Sequence, residues 1–337
     1  MAGTGTDAAI MMTLSAIAYQ SDIPGQLSHP QYATNRDWSL AWGPVSDDYG
    51  NLLYVATSAS TGAYAVAIRG SELLFNWTSF ENWFYDLDVL TQVEWPYFGN
   101  SNNDAVSSGA YIQAVNLTKA THSGLTLLDF LSTRRKSSVP LYVTGHSLGG
   151  NLATVLAAWL SSQLGPAAGQ QDTNTRVYTF ATPSPGNASF VSSYNQRFPN
   201  SWRYLNSLDV VPRAWADLLA INSVYDTFFL STPVTAQVAV TGMQGLLEAS
   251  EFCYGSWYDQ TNSDGNVLPG DFALLSDWFS EVAHQHWSNT YLSLLGAPPI
   301  QPGLQIRLAA GEIATMTPPV LKKPRFGGDP AMEPRRR

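Results

Sequence analysis

The sequence predicts an α/β fold, with a central, mainly parallel β-sheet flanked by helices. Three observations predict it. Short β-like runs alternate with helix-like runs along much of the chain, the order that builds parallel sheets through crossover connections. A strand-like PLYVT (140–144) passes through Gly145-His146-Ser147-Leu148-Gly149 into a helix-like run, Asn151 to Leu164. The chain has 337 residues, 45% of them hydrophobic, enough to bury one large core.

The elements follow in order. Asp7 to Gln20 reads as a helix with an Asp cap. Residues 21–50 are loop-like, rich in Pro, Gly, Asp and Ser. Leu52 to Ser58 and Gly62 to Ile68 are β-like runs joined by a Ser/Thr/Gly turn, hence a hairpin. Asp104 to Leu131 has helical spacing, with Tyr111, Val115, Leu125, Leu128 and Leu131 able to share a face. Arg134 to Pro140 is a polar loop. VYTFA (177–181) and WRYLN (202–206) are two further strands, Val234 to Leu247 an apolar helix and NSDGN (262–266) a turn. One domain is expected over residues 1–320, followed by a flexible, basic, Pro/Gly-rich tail over 321–337.

Composition narrows the partners. A formal net charge of -9 argues against nucleic acid and against electrostatic docking to anionic lipid. No apolar run is long enough to span a membrane. Cys253 is the only cysteine, so no intramolecular disulfide can form. No Cys/His cluster or phosphate loop is present, and no metal or organic cofactor is called for. No signal peptide is visible at MAGTGTDAAI, although the acidic composition leans toward secretion. The sequence leaves the oligomeric state open.

The Gly145–Gly149 pentapeptide is where chemistry concentrates. A strand, a tight turn and a helix around G-x-S-x-G are what a nucleophile elbow needs, and the glycines keep Cβ atoms away from the strained serine. A serine hydroxyl is a weak nucleophile, so Ser147 requires a base and an acid that orients the base. In an α/β-hydrolase these follow in the order Ser, Asp or Glu, His. Of five histidines, only His284 and His286 lie downstream of the motif. His146 belongs to the elbow, and its side chain should point away from Ser147. Asp209 stands just past WRYLN with Pro212 close behind, a better setting for a fixed carboxylate than Asp172, Asp217 or Asp226. Its alternative role is a turn or helix cap. Oxyanion donors are expected from the Leu148 N–H and from Ser71, next to Gly70 at the end of AVAIRGSE.

Together these pieces resemble the class 3 lipase family, typified by fungal triacylglycerol lipases. The resemblance runs in order from about Ala65 to Tyr291: VAIRGS, NWTSFENWFYDLDV, GHSLGG, TFATPSPGN, LNSLDVVPR and HWSNTYL. It implies an α/β-hydrolase fold and a Ser147, Asp209, His286 triad. Ser71 and Leu148 would surround the oxyanion, and Asp86 would steady the Ser71 hydroxyl. The five-residue spacing to Tyr291 favours His286 over His284. Two positions depart from the family pattern: Ser107 stands where a histidine is usual, and Thr182 where a glycine is.

Residues 72–90 are lid-like, with Leu73, Phe75, Trp77 and Phe80 crowded into one segment; the alternative is a helix packed permanently in the core. With Val211 and Trp287 they are candidate substrate contacts. The long gap between Asp209 and His286 is expected to hold an insertion around 225–270 that could shape or cover an acyl pocket. The resemblance implies a carboxylic ester hydrolase, foremost a triacylglycerol lipase. An esterase for less apolar esters (phospholipase A1, feruloyl or polyester hydrolase) is the alternative, and a non-catalytic binding protein the reading from another class.

Overall fold

Helix α1 (Gly5–Ile17) is mostly apolar beyond its first turn, and the two polar residues it buries, Thr13 and Ser15, return their hydroxyls to the carbonyls of Ala9 and Met11. That lets it lie flat against a sheet. The computed structural model describes residues 5–70, 88–98, 103–255, 257–262, 265–275 and 277–301. A short α2 (Ile23–Leu27) leads into β1 (Trp38–Ser46), β2 (Leu52–Ser58) and β3 (Tyr64–Arg69), an antiparallel meander. Two short strands, β4 (Gln92–Glu94) and β5 (Ala105–Ser107), precede α3 (Ser108–Lys119). The hairpin β6 (Thr121–His122) and β7 (Leu125–Thr126) leads to α4 (Leu127–Arg134). Then come β8 (Leu141–His146), α5 (Leu148–Leu164), β9 (Thr175–Phe180), β10 (Gly186–Asn187), α6 (Ala188–Arg197) and β11 (Ser201–Asn206). The remaining elements are α7 (Val234–Tyr254), β12 (Tyr258–Asp259), β13 (Asn266–Leu268), α8 (Trp278–His286) and α9 (Ser288–Leu294).

The main sheet has seven strands in the order β1-β2-β3-β8-β9-β11-β13. From β3 to β13 every pair is parallel. Carboxyl ends of parallel strands share one edge, so Gly70, Ser147 and the loop holding Asp209 all emerge there. Strand alternation sorts β8 between the two faces. Val143 joins the core beneath α5, whereas Thr144 meets Ser15 of α1 at 2.9 Å. Two apolar cores result, one on each face of the sheet.

Two expectations need correction. Residues 21–50 are not loop: they contain α2 and β1. The alternation in β1 is broken by Gly43-Pro44, where the register with β2 shifts, and that break disguises the strand. The helical spacing over Asp104–Leu131 covers two helices, not one. Ala120 is extended and Gly124 takes φ +77°, so the hairpin separates them. Each helix has its own cap, Ser107 for α3 and a Thr126–Asp129 capping box for α4. The tail over 321–337 lies outside the described residues.

Leu156 lies fully buried on α5, in the core above β8. Leu156→Ala should cost about 2–5 kcal/mol of stability, read from urea unfolding.

Candidate active site

The turn from β8 into α5 leaves no room for side chains. A Cβ on Gly145 would come within 2.1 Å of the Gly149 carbonyl oxygen, and one on Gly149 within 2.3 Å of the Ile68 oxygen. The β3 end and the helix start are therefore in backbone contact. Gly70 is pressed in the same way, its Cβ position only 2.4 Å from Leu148 Cβ. Ser147 itself takes φ 59° and ψ -131°, a strained region for a residue with a side chain. Its N–H donates to Phe180 O at 2.9 Å, and its carbonyl accepts from Gly150 N at 2.9 Å. The hydroxyl is buried and makes no hydrogen bond to a described residue. Leu148 begins α5, so its N–H has no carbonyl partner within the helix.

Facing the elbow is a buried imidazole–carboxylate pair. His286 Nδ1 lies 2.8 Å from Asp209 Oδ2, and both residues are almost fully buried. The carboxylate is held from three sides. Val211 N donates to Oδ1 at 2.9 Å, and Tyr291 OH donates to Oδ2 at 2.8 Å. The tyrosine hydroxyl in turn accepts from Asn206 N at 2.9 Å. Burial and the Asp209 charge push the Tyr291 phenol well above its ordinary value, so it remains a donor. Asn206 also fastens α8: its side chain donates to Gln285 O at 2.9 Å and to Gln285 Oε1 at 2.7 Å. The Gln285 amide then reaches Glu281 and the Asp271 carbonyl. None of Asn206, Gln285 or Glu281 was assigned from sequence. Asn206 was visible within LNSLDVVPR, but the Gln285 partnership depends on how α8 docks.

Of the two candidate bases, the structure pairs His286 with Asp209. His284 is two residues earlier on the same helix and so faces another way. The other acids are engaged elsewhere or exposed: Asp172 with Ser161 and Thr175, Asp217 with Arg213, Asp226 at the surface. Val211 is fully buried in the core, and its described role is the N–H to Asp209. Trp287 joins α8 to α9 and is half-buried. Ser71, Leu73, Phe75, Trp77, Phe80 and Asp86 fall outside the described residues, and with them most of the expected lid. Ser107 caps α3 from a fully buried position, and Thr182 packs beside Gly150.

His146 projects to the α1 face, away from α5, as the strand alternation requires. There its ring sits 4.8 Å from the His286 ring and 5.5 Å from that of Tyr291, centre to centre. It hydrogen-bonds the backbone of His286. The residue before the serine is thus a wall for the imidazole, a contact the sequence does not reveal. Burial, chiefly, and the neighbouring His286 push His146 well below the ordinary histidine value.

A parallel sheet that presents a serine elbow and a buried His–Asp pair at its strand ends is an α/β-hydrolase architecture. Comparison with known proteins agrees. Residues 65–218 match the family model for Lipase (class 3). Lipase ZK262.3 of Caenorhabditis elegans is 29% identical over 219 residues, 61% of this chain and 54% of that protein. Secreted mono- and diacylglycerol lipase 1 of Fusarium solani is 27% identical over 161 residues, 48% of this chain and 41% of that protein. The crystal structure of M37 lipase superposes with a TM-score of 0.72 at 25% identity, covering 87% of this chain and 93% of the other. A little under half of the chain thus matches the class 3 lipase model, and the chain is similar to lipases in sequence and fold. It spans about half the length of the two curated relatives.

Two outcomes follow from the site's polar network. Tyr291→Phe leaves buried Asp209 short of a donor and Asn206 N short of an acceptor. It should lower stability by about 1–3 kcal/mol in urea unfolding. His146 stays neutral in the native state at pH values where the unfolded chain binds a proton. Its contribution is therefore complete above the unfolded pKa and lost as pH falls below it. Between about pH 7.5 and about pH 5.5 wild type should lose more stability than His146→Gln, of order 1 kcal/mol, measured by urea unfolding at both values.

Proposed function

We propose that this chain hydrolyses carboxylic esters of acylglycerols, with Ser147 as nucleophile, His286 as base and Asp209 as orienting acid. The observation that carries this reading is the 2.8 Å His286–Asp209 pair beside the strained serine turn. Ser147 Oγ attacks the ester carbonyl carbon as His286 Nε2 takes its proton. The carbonyl π pair moves to oxygen, and the oxyanion is met by the Leu148 N–H and by donors of Ser71. The carbon–alkoxide bond then breaks, and the alcohol leaves with the proton from His286. Water attacks the acyl-serine, its proton passing to His286 and then to the serine oxygen, and the carboxylic acid departs. Throughout, Nδ1–H donates to Asp209, which fixes the tautomer and balances the imidazolium charge. Val211 N and Tyr291 hold the carboxylate in place for that role.

Triacylglycerol is the leading substrate, on the likeness to the class 3 lipases. Partial acylglycerols are the second reading, favoured by the name of the Fusarium relative. The test is hydrolysis of p-nitrophenyl esters from acetyl to palmitoyl, of emulsified triolein and of diolein. Ser147→Ala should lose roughly 10⁴-fold or more on every ester while keeping its fold. Activity confined to short acyl chains would replace the lipase reading with an esterase. A mutant as active as wild type would remove Ser147 from the mechanism.

A further inference from the structure

Among the described residues, every exposed large hydrophobic side chain lies between Leu219 and Leu275. The rest of the described surface has none. The segment includes the insertion between the acid and the base. Its centre is α7, which buries Ala236, Val240, Met243 and Leu247 against the body. The opposite side of the same helix carries Val234, Val238, Leu246 and Phe252, the last 82% exposed. At 100° per residue these four fall within about one third of a turn. Gly242, Gly245, Ala249 and Cys253 fill the spaces between them, so no charge interrupts the stripe. Phe229, at 95% exposure, and Leu274, at 82%, extend the apolar surface beyond the helix.

The charge pattern identifies what this face can meet. There is no Lys or Arg between Arg213 and Arg307. Residues 219–275 contain six acidic residues, and Asp226, Glu248 and Asp271 are exposed. An anionic bilayer would be repelled, because binding to anionic lipid relies on Lys and Arg. A second copy would bring the same uncompensated carboxylates against these, an arrangement without cations to pair. An electrically neutral lipid surface meets neither obstacle and takes up the apolar stripe.

The face is also fastened to the site. Tyr225 OH donates to Leu208 O at 2.8 Å, beside Asp209. Gln260 donates to Pro212 O at 2.9 Å on the other side of the same loop. Tyr258 OH donates to Val89 O at 2.9 Å, and Ser250 donates to Leu90 O. Those two carbonyls belong to the chain returning from the segment after Gly70.

We propose that the α7 face is a docking surface for an electrically neutral lipid–water interface, which it holds beside the ester-hydrolysing site. The proposal rests on the acylglycerol reading above and adds to it the surface that meets the lipid and the sign of charge it accepts.

Cys253 is exposed and is the chain's only cysteine, so a polarity-sensitive fluorophore there reports on the stripe. The label is placed on Ser147→Ala protein, which cannot consume the lipid. Triolein droplets and phosphatidylcholine vesicles should shift its emission to the blue, with binding at least about tenfold tighter than to phosphatidylserine vesicles. In the otherwise native enzyme, Val238→Glu and Leu246→Glu should each reduce triolein hydrolysis at least about fivefold. Hydrolysis of dissolved p-nitrophenyl butyrate should stay within about twofold, since both side chains are exposed and neither contacts Ser147, Asp209 or His286 through a described bond. Equal triolein rates in variants and wild type would overturn the proposal. So would a label blind to neutral lipid, a preference for phosphatidylserine, or a shift that follows protein concentration without lipid, which marks a contact between copies. A wild type inactive on both esters would instead refute the hydrolase reading, and the label would still decide whether the face docks.

Discussion

The site depends on one steric constraint: a strand must become a helix within a single residue, with a neighbouring strand touching the turn. Three backbones converge there, those of Ile68–Gly70, Gly145 and Gly149. The gaps between them exclude even a methyl group. Ser147 absorbs the reversal by taking a positive φ. The cost of that conformation, of order 1–3 kcal/mol, is offset by the Ser147 N–H and C=O bonds and by the buried helix that follows. The same reversal puts the side chain at the open edge of the sheet and the next N–H at a helix start. Position and polarity arise together from the one turn.

The second half of the site is built by different means. Asp209 is held from a loop, and His286 from the last turn of a helix distant in sequence. Neither is rigid alone. What joins them is a chain of buried hydrogen bonds through Tyr291, Asn206, Gln285 and Glu281. In such a network each member satisfies another, so the loss of one exposes its neighbours to an unpaired burial. His146 completes the enclosure by packing against the imidazole from the elbow itself. The two halves are thus in contact on the side of the sheet opposite α5.

How far the sequence could be read follows from the range of the forces involved. The elbow, the strands beside it and Asp209 were legible because local backbone demands write themselves into adjacent residues. His286 was singled out by its spacing to Tyr291, and in the fold the His286 ring and the Tyr291 hydroxyl meet the same Asp209 oxygen. β1 was hidden because Gly43-Pro44 interrupts its alternation, and pairing with β2 overrides that interruption. The division of Asp104–Leu131 into two helices was hidden because Leu125 continues a helical spacing across a hairpin. Gln285, Glu281 and the His146 wall are tertiary contacts with no local signature. The separation of α7 into a buried and an exposed side needed the body it packs on.

One strand of the insertion alters how the whole segment is regarded. β13 does not sit on top of the sheet; it joins it, pairing Asn266–Leu268 in parallel with Tyr204–Asn206. The strand that leads to Asp209 is therefore interior rather than terminal. Trimming the insertion to a short crossover would uncover a row of unpaired amides and carbonyls on β11, a surface ready to add a strand from another molecule. The segment between Asp209 and His286 cannot shrink freely. Length changes here are coupled to solubility before they affect the chemistry.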